Sequence, residues 1–500
     1  MSSFLVFITF ILTYIIVKLW SSTKRPSNFP PGPPFLPWIG NTMHLRKESA
    51  LAGGQHKAYE NWSKRYNSNV LGLKLGNDLV VVALTYPLVK QVHLEEVFEG
   101  RPDTFFFRLR TMGTRKGITG VDGPLWYKHR HFSMKQLRNV GFGRTPMEKY
   151  IEKETDRLLT YIENLNGLPV WPGSFLAHVV INVLWTLVAN KHFAYEDKRL
   201  QKLLDLLHRR SKAFDMSGGL LSQYPWLRFI APNKTGYNII CQLNKELHEF
   251  FMETIEEHRR TLTLANAESD FIYAYLQEMK QQANKDTPFT ETELTMVILD
   301  FFIAGSQSTS HTIELALMTL ALRQDIQKNL YQEIKENSKD NSLVFPHLSS
   351  KNLYPYMEAF IMEVQRFYHI LPITGPRRAM WNTKLNGYDI PKDTIVFMSL
   401  YTVLMDHEHY GDPKTFRPER FMDAEGKAFR DDFFMPFGQG RRRCLGDNLA
   451  RACLFSFLLK IIQNFDIKLS DKPEDNPSME LVPGIMLSPK PYKIRLIKRN

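Results

Sequence analysis

The chain has 500 residues, 43% of them hydrophobic and 12% aromatic, enough apolar surface for a large core, so it is globular. Three cysteines cannot build a disulfide framework, and their scarcity suggests a reducing compartment for most of the chain. The 64 basic against 52 acidic side chains, a net +12, favour acidic partners, an anionic membrane or simply a solvated basic face. No run of Lys and Arg interleaved with aromatics marks a nucleic-acid groove.

FLVFITFILTYIIVKLW, residues 4 to 20, is nearly all apolar. At about 1.5 Å per residue it nearly crosses a ~30 Å hydrocarbon layer, with Lys18 placed to snorkel and Trp20 suited to the interface. Lys24 and Arg25 follow it and no basic residue precedes it, so residues 1–25 are expected to be a single-pass anchor with the rest in the cytosol. A cleaved signal peptide needs a basic leader, absent here, and a small-residue cleavage site that Ser21-Ser22-Thr23 imitates weakly. FPPGPPFLPWIG, residues 29 to 40, resists helix and forms a stiff hinge over 26–40, leaving 41–500 as the globular domain. The region around 215 to 235 is a second segment open to membrane contact.

Strand-like runs lie at 71 to 84 and 385 to 399, the latter with an Asn-Gly pair that signals a hairpin. From about 145 to 370 helical patterns dominate, and LTMVILDFFIAGSQSTSHTIELALMTLAL, 294 to 322, is apolar on most faces, as a central buried helix would be. VVINVLWTLVA, 179 to 189, is too short to span a membrane and is expected as a buried helix. The expected fold is mainly α with a minor β component.

FGQGRRRCLG, residues 437 to 446, sets Cys444 behind three arginines, between glycines that permit positive-φ turns, and just before the helical pattern of 447 to 462. A thiolate binds metal, its pKa falls near cations, and a helix start favours an anion. No Cys or His lies at ligand spacing from Cys444, so one sulfur on a metal implies a cofactor filling the remaining positions, as haem does. Free Cys241 and Cys453 are expected as small buried hydrophobes.

At every fixed position, Phe437-Gly438-x-Gly440-x-Arg442-x-Cys444-x-Gly446 resembles the haem-binding loop of cytochrome P450 monooxygenases. Other motifs follow in the family's order: EVQR (Glu363 to Arg366) resembles its ExxR pair, and FRPERF (416 to 421) the motif whose Arg420 completes a buried Glu–Arg–Arg network. WYKHR (Trp126 to Arg130) resembles the helix that contacts a haem propionate, GPRRA (375 to 379) places Arg377 as another propionate ligand, and PPGPP (30 to 34) matches the microsomal hinge. The likeness runs from the anchor to about residue 490.

The resemblance implies haem b with an axial thiolate from Cys444, and propionates held by Arg442, Arg377, Arg130 and Trp126. It implies insertion of one oxygen atom from O2 into a lipophilic substrate, by hydroxylation or epoxidation, at the endoplasmic reticulum membrane. Electrons would come from NADPH through cytochrome P450 reductase, with cytochrome b5 as a second donor, because the chain shows no flavin or nicotinamide fingerprint. On the distal side the family's acid–threonine pair is replaced: Ala304-Gly305-Ser306-Gln307-Ser308-Thr309 puts Gln307 for the acid and Ser308 for the alcohol, with Thr309 next. Ser308 is expected to do the work of the threonine, the alternative being that it bonds to the carbonyl one turn back and kinks the helix.

Substrate contacts are implied in the loop holding Phe105 and Phe106, at Phe301, Phe302 and Ala304, at Leu371, Ile373 and Thr374, and at Ile485 and Met486. The AGSQ form, together with RTMGTRKGIT (110 to 119), is similar to an arthropod microsomal branch that includes juvenile-hormone-type sesquiterpenoid epoxidases. Two rivals are a haem-thiolate hydroperoxide isomerase or dehydratase, needing no reductase, and a haem-binding membrane protein without turnover.

Overall fold

The apolar run at 294 to 322 becomes the helix Glu291–Leu322, the axis of the computed structural model, which describes residues 2–213, 220–263, 266, 269–283, 287–337 and 347–499. Thr290 caps its start by accepting the Glu293 N–H, and Glu291 and Glu293 place negative charge in its first turn. The small hydroxylated stretch does not interrupt it. Ser308 donates to the Ala304 carbonyl at 2.8 Å, Ser310 to that of Ser306 at 2.8 Å and Thr312 to that of Ser308 at 2.7 Å, which keeps each hydroxyl inside the helix.

Around this axis pack the helices Gly173–Ala189, Asp447–Asn464 and Pro355–Tyr368. Gly173–Ala189 contains the buried run expected at 179 to 189; Trp185 and Phe175 are among the largest side chains fully removed from solvent. The chain is mainly helical with a minor sheet component.

The strands are β1 (Val70–Leu75), β2 (Asp78–Ala83), β3 (Arg377–Arg378), β4 (Thr383–Leu385), β5 (Tyr388–Ile390), β6 (Ile395–Met398), β7 (Phe465–Leu469), β8 (Leu481–Val482), β9 (Ser488–Pro489) and β10 (Ile494–Lys498). The largest sheet runs β1-β2-β6-β3, with β2 and β6 parallel and its other pairs antiparallel. The Asn-Gly signal is a two-residue turn: Asn386 (φ 51°) and Gly387 (φ 81°) join β4 to β5.

A buried charge network ties the Pro355–Tyr368 helix to the meander after it. Arg366 is fully buried and grips Glu363 through two bonds, Nε to Oε2 at 2.6 Å and Nη2 to Oε1 at 2.8 Å. Its remaining donors reach the carbonyls of Leu404 (3.0 Å) and Pro413 (2.9 Å). Glu363 also accepts the backbone N–H of Arg417 at 2.9 Å, while Arg420 approaches it at 3.6 Å and donates to the carbonyls of Tyr410, Asp412 and Thr415. A buried pair of this kind stabilises only when every donor is satisfied, and loss of one partner costs about 3–5 kcal/mol.

The proline segment docks on the sheet. Arg25 donates to the carbonyls of Pro30, Gly32, Pro33 and Gly72 and lies over the Phe35 ring. Ser22, the last residue of the helix Ser2–Ser22, is held by Lys74 Nζ on its carbonyl (2.9 Å) and by the Trp38 N–H on its hydroxyl (3.3 Å). That helix exposes Phe4, Phe7, Phe10 and Val17. Among the described residues, however, no helix is long and apolar enough to cross a membrane, so the helix expected at 4 to 20 stands and its crossing is not shown. Of the region 215 to 235, residues 215–219 lie outside the described residues, and Trp226, Phe229 and Ile230 are exposed.

Cys453 is buried as expected, but Cys241 is only half-buried and lies beside the Tyr237 hydroxyl. Glu314, in the C-terminal half of the axis helix, accepts the Trp171 indole N–H at 2.6 Å, and burial pushes its carboxyl up to about 7, opposed by that bond and the Gly173 N–H. The folded state therefore holds this proton more tightly than the unfolded chain, whose value is 4.5. Its stabilising contribution is full below about 4.5 and is lost as pH rises through about 7. In thermal unfolding followed across that interval, Glu314→Gln should flatten the decline in midpoint, with Glu293, also raised to about 7, keeping its own share.

Candidate active site

Residues 437 to 446 form a closed loop in front of the helix Asp447–Asn464. The Cys444 N–H returns to the Phe437 carbonyl at 2.9 Å, and the Gly438 N–H to that of Met435 at 3.0 Å. Gly438 (φ 65°) and Gly440 (φ 70°) take the left-handed turns this closure needs. At Gly440 a Cβ would stand 2.2 Å from the His93 carbonyl oxygen, so the loop lies directly on that backbone. From behind, Arg451 covers Phe437, its guanidinium carbon 4.8 Å from the ring centre. Arg130 donates to the Arg443 carbonyl at 2.9 Å.

Cys444 sits at the floor of an open cradle, its surface exposed although protein encloses it from behind. The expectation that its arginine neighbours lower its pKa is wrong. Burial pushes the thiol up, Asp447 adds to this, and the N–H groups of Gly446 and Asp447 with Arg130 only partly offset it. Arg441 points away to Glu99 at 3.4 Å and Arg443 is exposed, so neither faces the sulfur. A coordinated metal, rather than the arginines, would hold this sulfur as thiolate.

Arg442 turns into the cradle wall. It donates to the Val121 carbonyl at 2.9 Å and lies over Trp126, 3.9 Å from the ring centre. Its Nε and Nη2, Nη1 of Arg377 and Nε of Arg101 are buried with no hydrogen-bond partner among the described residues. Burial and neighbouring guanidinium groups push Arg442 and Arg377 down to about 8, and burial with Arg110 and Arg130 pushes Arg101 down to about 10. The nearby carboxylates are engaged elsewhere: Asp122 accepts from Arg378 and the Arg101 N–H and pairs with Arg115, and Glu99 pairs with Arg441. Buried cations without counter-anions cost several kcal/mol each. A flat ligand bringing carboxylates past an open thiol fits this donor set, and haem b with its two propionates is such a ligand. Arg442 and Arg377 lie close enough to repel each other, Trp126 supports Arg442, and Arg130 braces the loop backbone.

On the axis helix, Ala304 is exposed and Ser308 half-buried on one face. The Ser308 proton is engaged by the Ala304 carbonyl, leaving its oxygen to accept. Gln307 reaches sideways to the Ser211 hydroxyl on the helix Lys198–Ala213 at 3.4 Å, and Thr309 is buried.

Of the expected pocket residues, Phe105, Phe106 and Ile485 meet in one cluster with Leu109, Leu221 and Ile240. The segment holding the two phenylalanines is a short helix, Phe105–Arg110, and not a loop. Phe302 is a correction: it is fully buried against Trp185 and Phe251, because two residues along a helix turn it about 200° from Ala304. Phe301 packs edge-on against Phe271. Ile373 is buried against the sheet, Leu371 and Thr374 are half-buried beside it, and Met486 packs on the main core. Ile373 and Ile485 also line a small cleft with Gln55, His56, Pro372, Pro483 and Gly484.

Two features escaped the sequence. Arg101 joins the cradle from a loop without periodic context. Asp300 and Glu293 clamp the 117–119 backbone to the axis helix: Asp300 Oδ2 accepts the N–H of Ile118 (2.7 Å) and Thr119 (2.9 Å), and Glu293 accepts that of Gly117 (2.8 Å). An acid inside the apolar run LTMVILDFF was the available signal, since a buried carboxylate must find donors.

The fold and the thiol loop define a haem-thiolate oxygenase class, and comparison with known proteins gives the family. The family model for Cytochrome P450 matches residues 30–496. The chain is 57% identical over 506 residues to a protein named probable cytochrome P450 305a1 from Drosophila melanogaster, covering all of both chains. It is 37% identical to farnesoate epoxidase from Bombyx mori, over 98% of this chain and 97% of that one. It is 31% identical to cytochrome P450 2H1 from Gallus gallus, with the same coverage. The chain belongs to the cytochrome P450 family and is an oxidoreductase of the monooxygenase type, using haem b with a cysteine thiolate.

Gly440→Ala tests the loop. Its Cβ meets backbone that cannot move aside and its φ is left-handed. Haem content, read as the Soret to protein absorbance ratio, should fall by about tenfold, while far-ultraviolet circular dichroism stays near wild type.

Proposed function

We propose that this protein inserts one oxygen atom from O2 into a lipophilic substrate, with Cys444 as the axial ligand and electrons from NADPH through cytochrome P450 reductase. The open thiol facing a wall of buried, unpaired arginine nitrogens carries this reading. When bound, haem supplies oxygen activation, with the thiolate favouring O–O cleavage. The chain's own residues do the rest: Arg442, Arg377 and Arg101 neutralise the propionates, and Ser308 offers an acceptor oxygen to a distal water. Gln307 cannot ionise, so protons reach the site through water and amide. The farnesoate epoxidase relative makes sesquiterpenoids the first substrates to examine, with epoxidation the first reaction. Placement at the endoplasmic reticulum membrane, with the domain facing the cytosol, belongs to the same proposal. The apolar sequence of 4 to 20, Lys24 and Arg25 after it, and exposed Trp226 and Phe229 support it.

The deciding measurement is the difference spectrum of the reduced, carbon-monoxide-bound protein. A thiolate opposite carbon monoxide moves the Soret band far to the red of a histidine adduct, and Cys444→Ala should abolish that band. NADPH- and reductase-dependent product from a sesquiterpenoid panel then separates oxygenase from hydroperoxide isomerase. Ser308→Ala should lower turnover roughly tenfold or more and uncouple NADPH oxidation from product. Unchanged coupling would leave the hydroxyl as a helix-internal group only.

A further inference from the structure

His311 lies on the axis helix seven residues beyond Ala304 and three beyond Ser308, which puts the three side chains in one stripe along the cradle-facing side. The motif ends before it, and no step described above uses it. Its ring is half-buried, and its Nδ1 meets neither solvent nor a hydrogen-bond partner among the described residues. Around it stand His208 on the helix Lys198–Ala213 and the backbone of Leu487, which takes a hydrogen bond from the ring and so commits the proton of a neutral imidazole to Nε2, leaving Nδ1 a lone-pair acceptor. Leu487 is itself anchored by its N–H on the Ile370 carbonyl at 2.7 Å and directly follows Ile485 and Met486. One turn back, Gln307 is already engaged by Ser211. A ring nitrogen shut away without a partner costs about 1–3 kcal/mol, and among apolar walls a ligand atom is the natural remedy.

The charge state narrows the ligand. Burial, reinforced by His208, pushes the imidazole down to about 4, against the opposing effect of the Leu487 backbone, so the ring is neutral at physiological pH. A neutral ring offers no charge to a carboxylate, whose desolvation would go uncompensated. An uncharged hydroxyl, in contrast, donates to the Nδ1 lone pair, gains one hydrogen bond and loses little.

We propose that His311 anchors a hydroxyl group at one end of a lipophilic substrate by accepting its hydrogen bond, and so selects which molecules are oxidised and how they lie. This deepens the monooxygenase reading and rests on it for the word substrate. The test is calorimetric titration of the full-length holoprotein with farnesene, farnesol, methyl farnesoate and farnesoate. Wild type should bind farnesol about fivefold to tenfold more tightly than farnesene, and methyl farnesoate and farnesoate no better than farnesene. His311→Phe should erase that preference while leaving farnesene binding intact, and His311→Gln, which keeps a donor and an acceptor, should retain most of it. No preference for farnesol in wild type, tighter binding of farnesoate or methyl farnesoate than of farnesol, or a preference that survives in His311→Phe overturns the proposal. The carbon monoxide spectrum of the same preparations separates the two failures. A lost red-shifted band sinks the monooxygenase reading, whereas an intact band with an unmoved preference sinks only the role of His311.

Discussion

Positive charge that the protein cannot neutralise by itself governs the centre of this molecule. Arg442, Arg377 and Arg101 converge on one wall, and the carboxylates near them are held by other cations. Folding alone therefore leaves an electrostatic deficit that a dianionic ligand removes. Ligand binding and stability of this region are one equilibrium, because whatever binds the native state and not the unfolded chain stabilises the former by mass action. The thiol behaves in a parallel way. Its surroundings favour the protonated form, and coordination is what would make it an anion.

The scaffold holds these groups by different means on either side. Behind the thiol, rigidity comes from backbone closure: two left-handed glycines, a carbonyl of His93 underneath and Arg130 on the Arg443 carbonyl. Elsewhere in the fold, the fully buried Arg366 pairs with Glu363 and links its own helix directly to two carbonyls in the following meander. On the opposite side the axis helix supplies both a hydroxylated surface and, through Asp300 and Glu293, the clamp that fixes the 117–119 segment. One helix thus shapes the roof of the pocket and positions a wall that belongs to another part of the chain.

What was legible beforehand follows a physical division. The thiol loop, the Glu363–Arg366 pair and the Asn386–Gly387 turn are local, so adjacent residues carry them and they appear as written. The long buried helix was legible from apolar residues on all its faces. Side-chain direction was not. Phe302 belongs to the aromatic core because of its angular position. Arg101 was invisible for a related reason: its importance lies in repulsion from residues hundreds of positions away, which no spacing records. Membrane crossing by the first helix stays with the proposal, since its apolar sequence is evident and no crossing helix is found among the described residues.

Arg25 closes four carbonyls of the proline segment and β1 around one guanidinium, and Lys74 with Trp38 pins the last residue of the N-terminal helix. The joint between helix and body accordingly has no slack. Whatever surface holds the helix, the body meets it in a single attitude, and the entrance to the catalytic chamber keeps a constant bearing. A longer spacer in place of this strap would free the body to swivel and would randomise that bearing without touching any atom of the chamber.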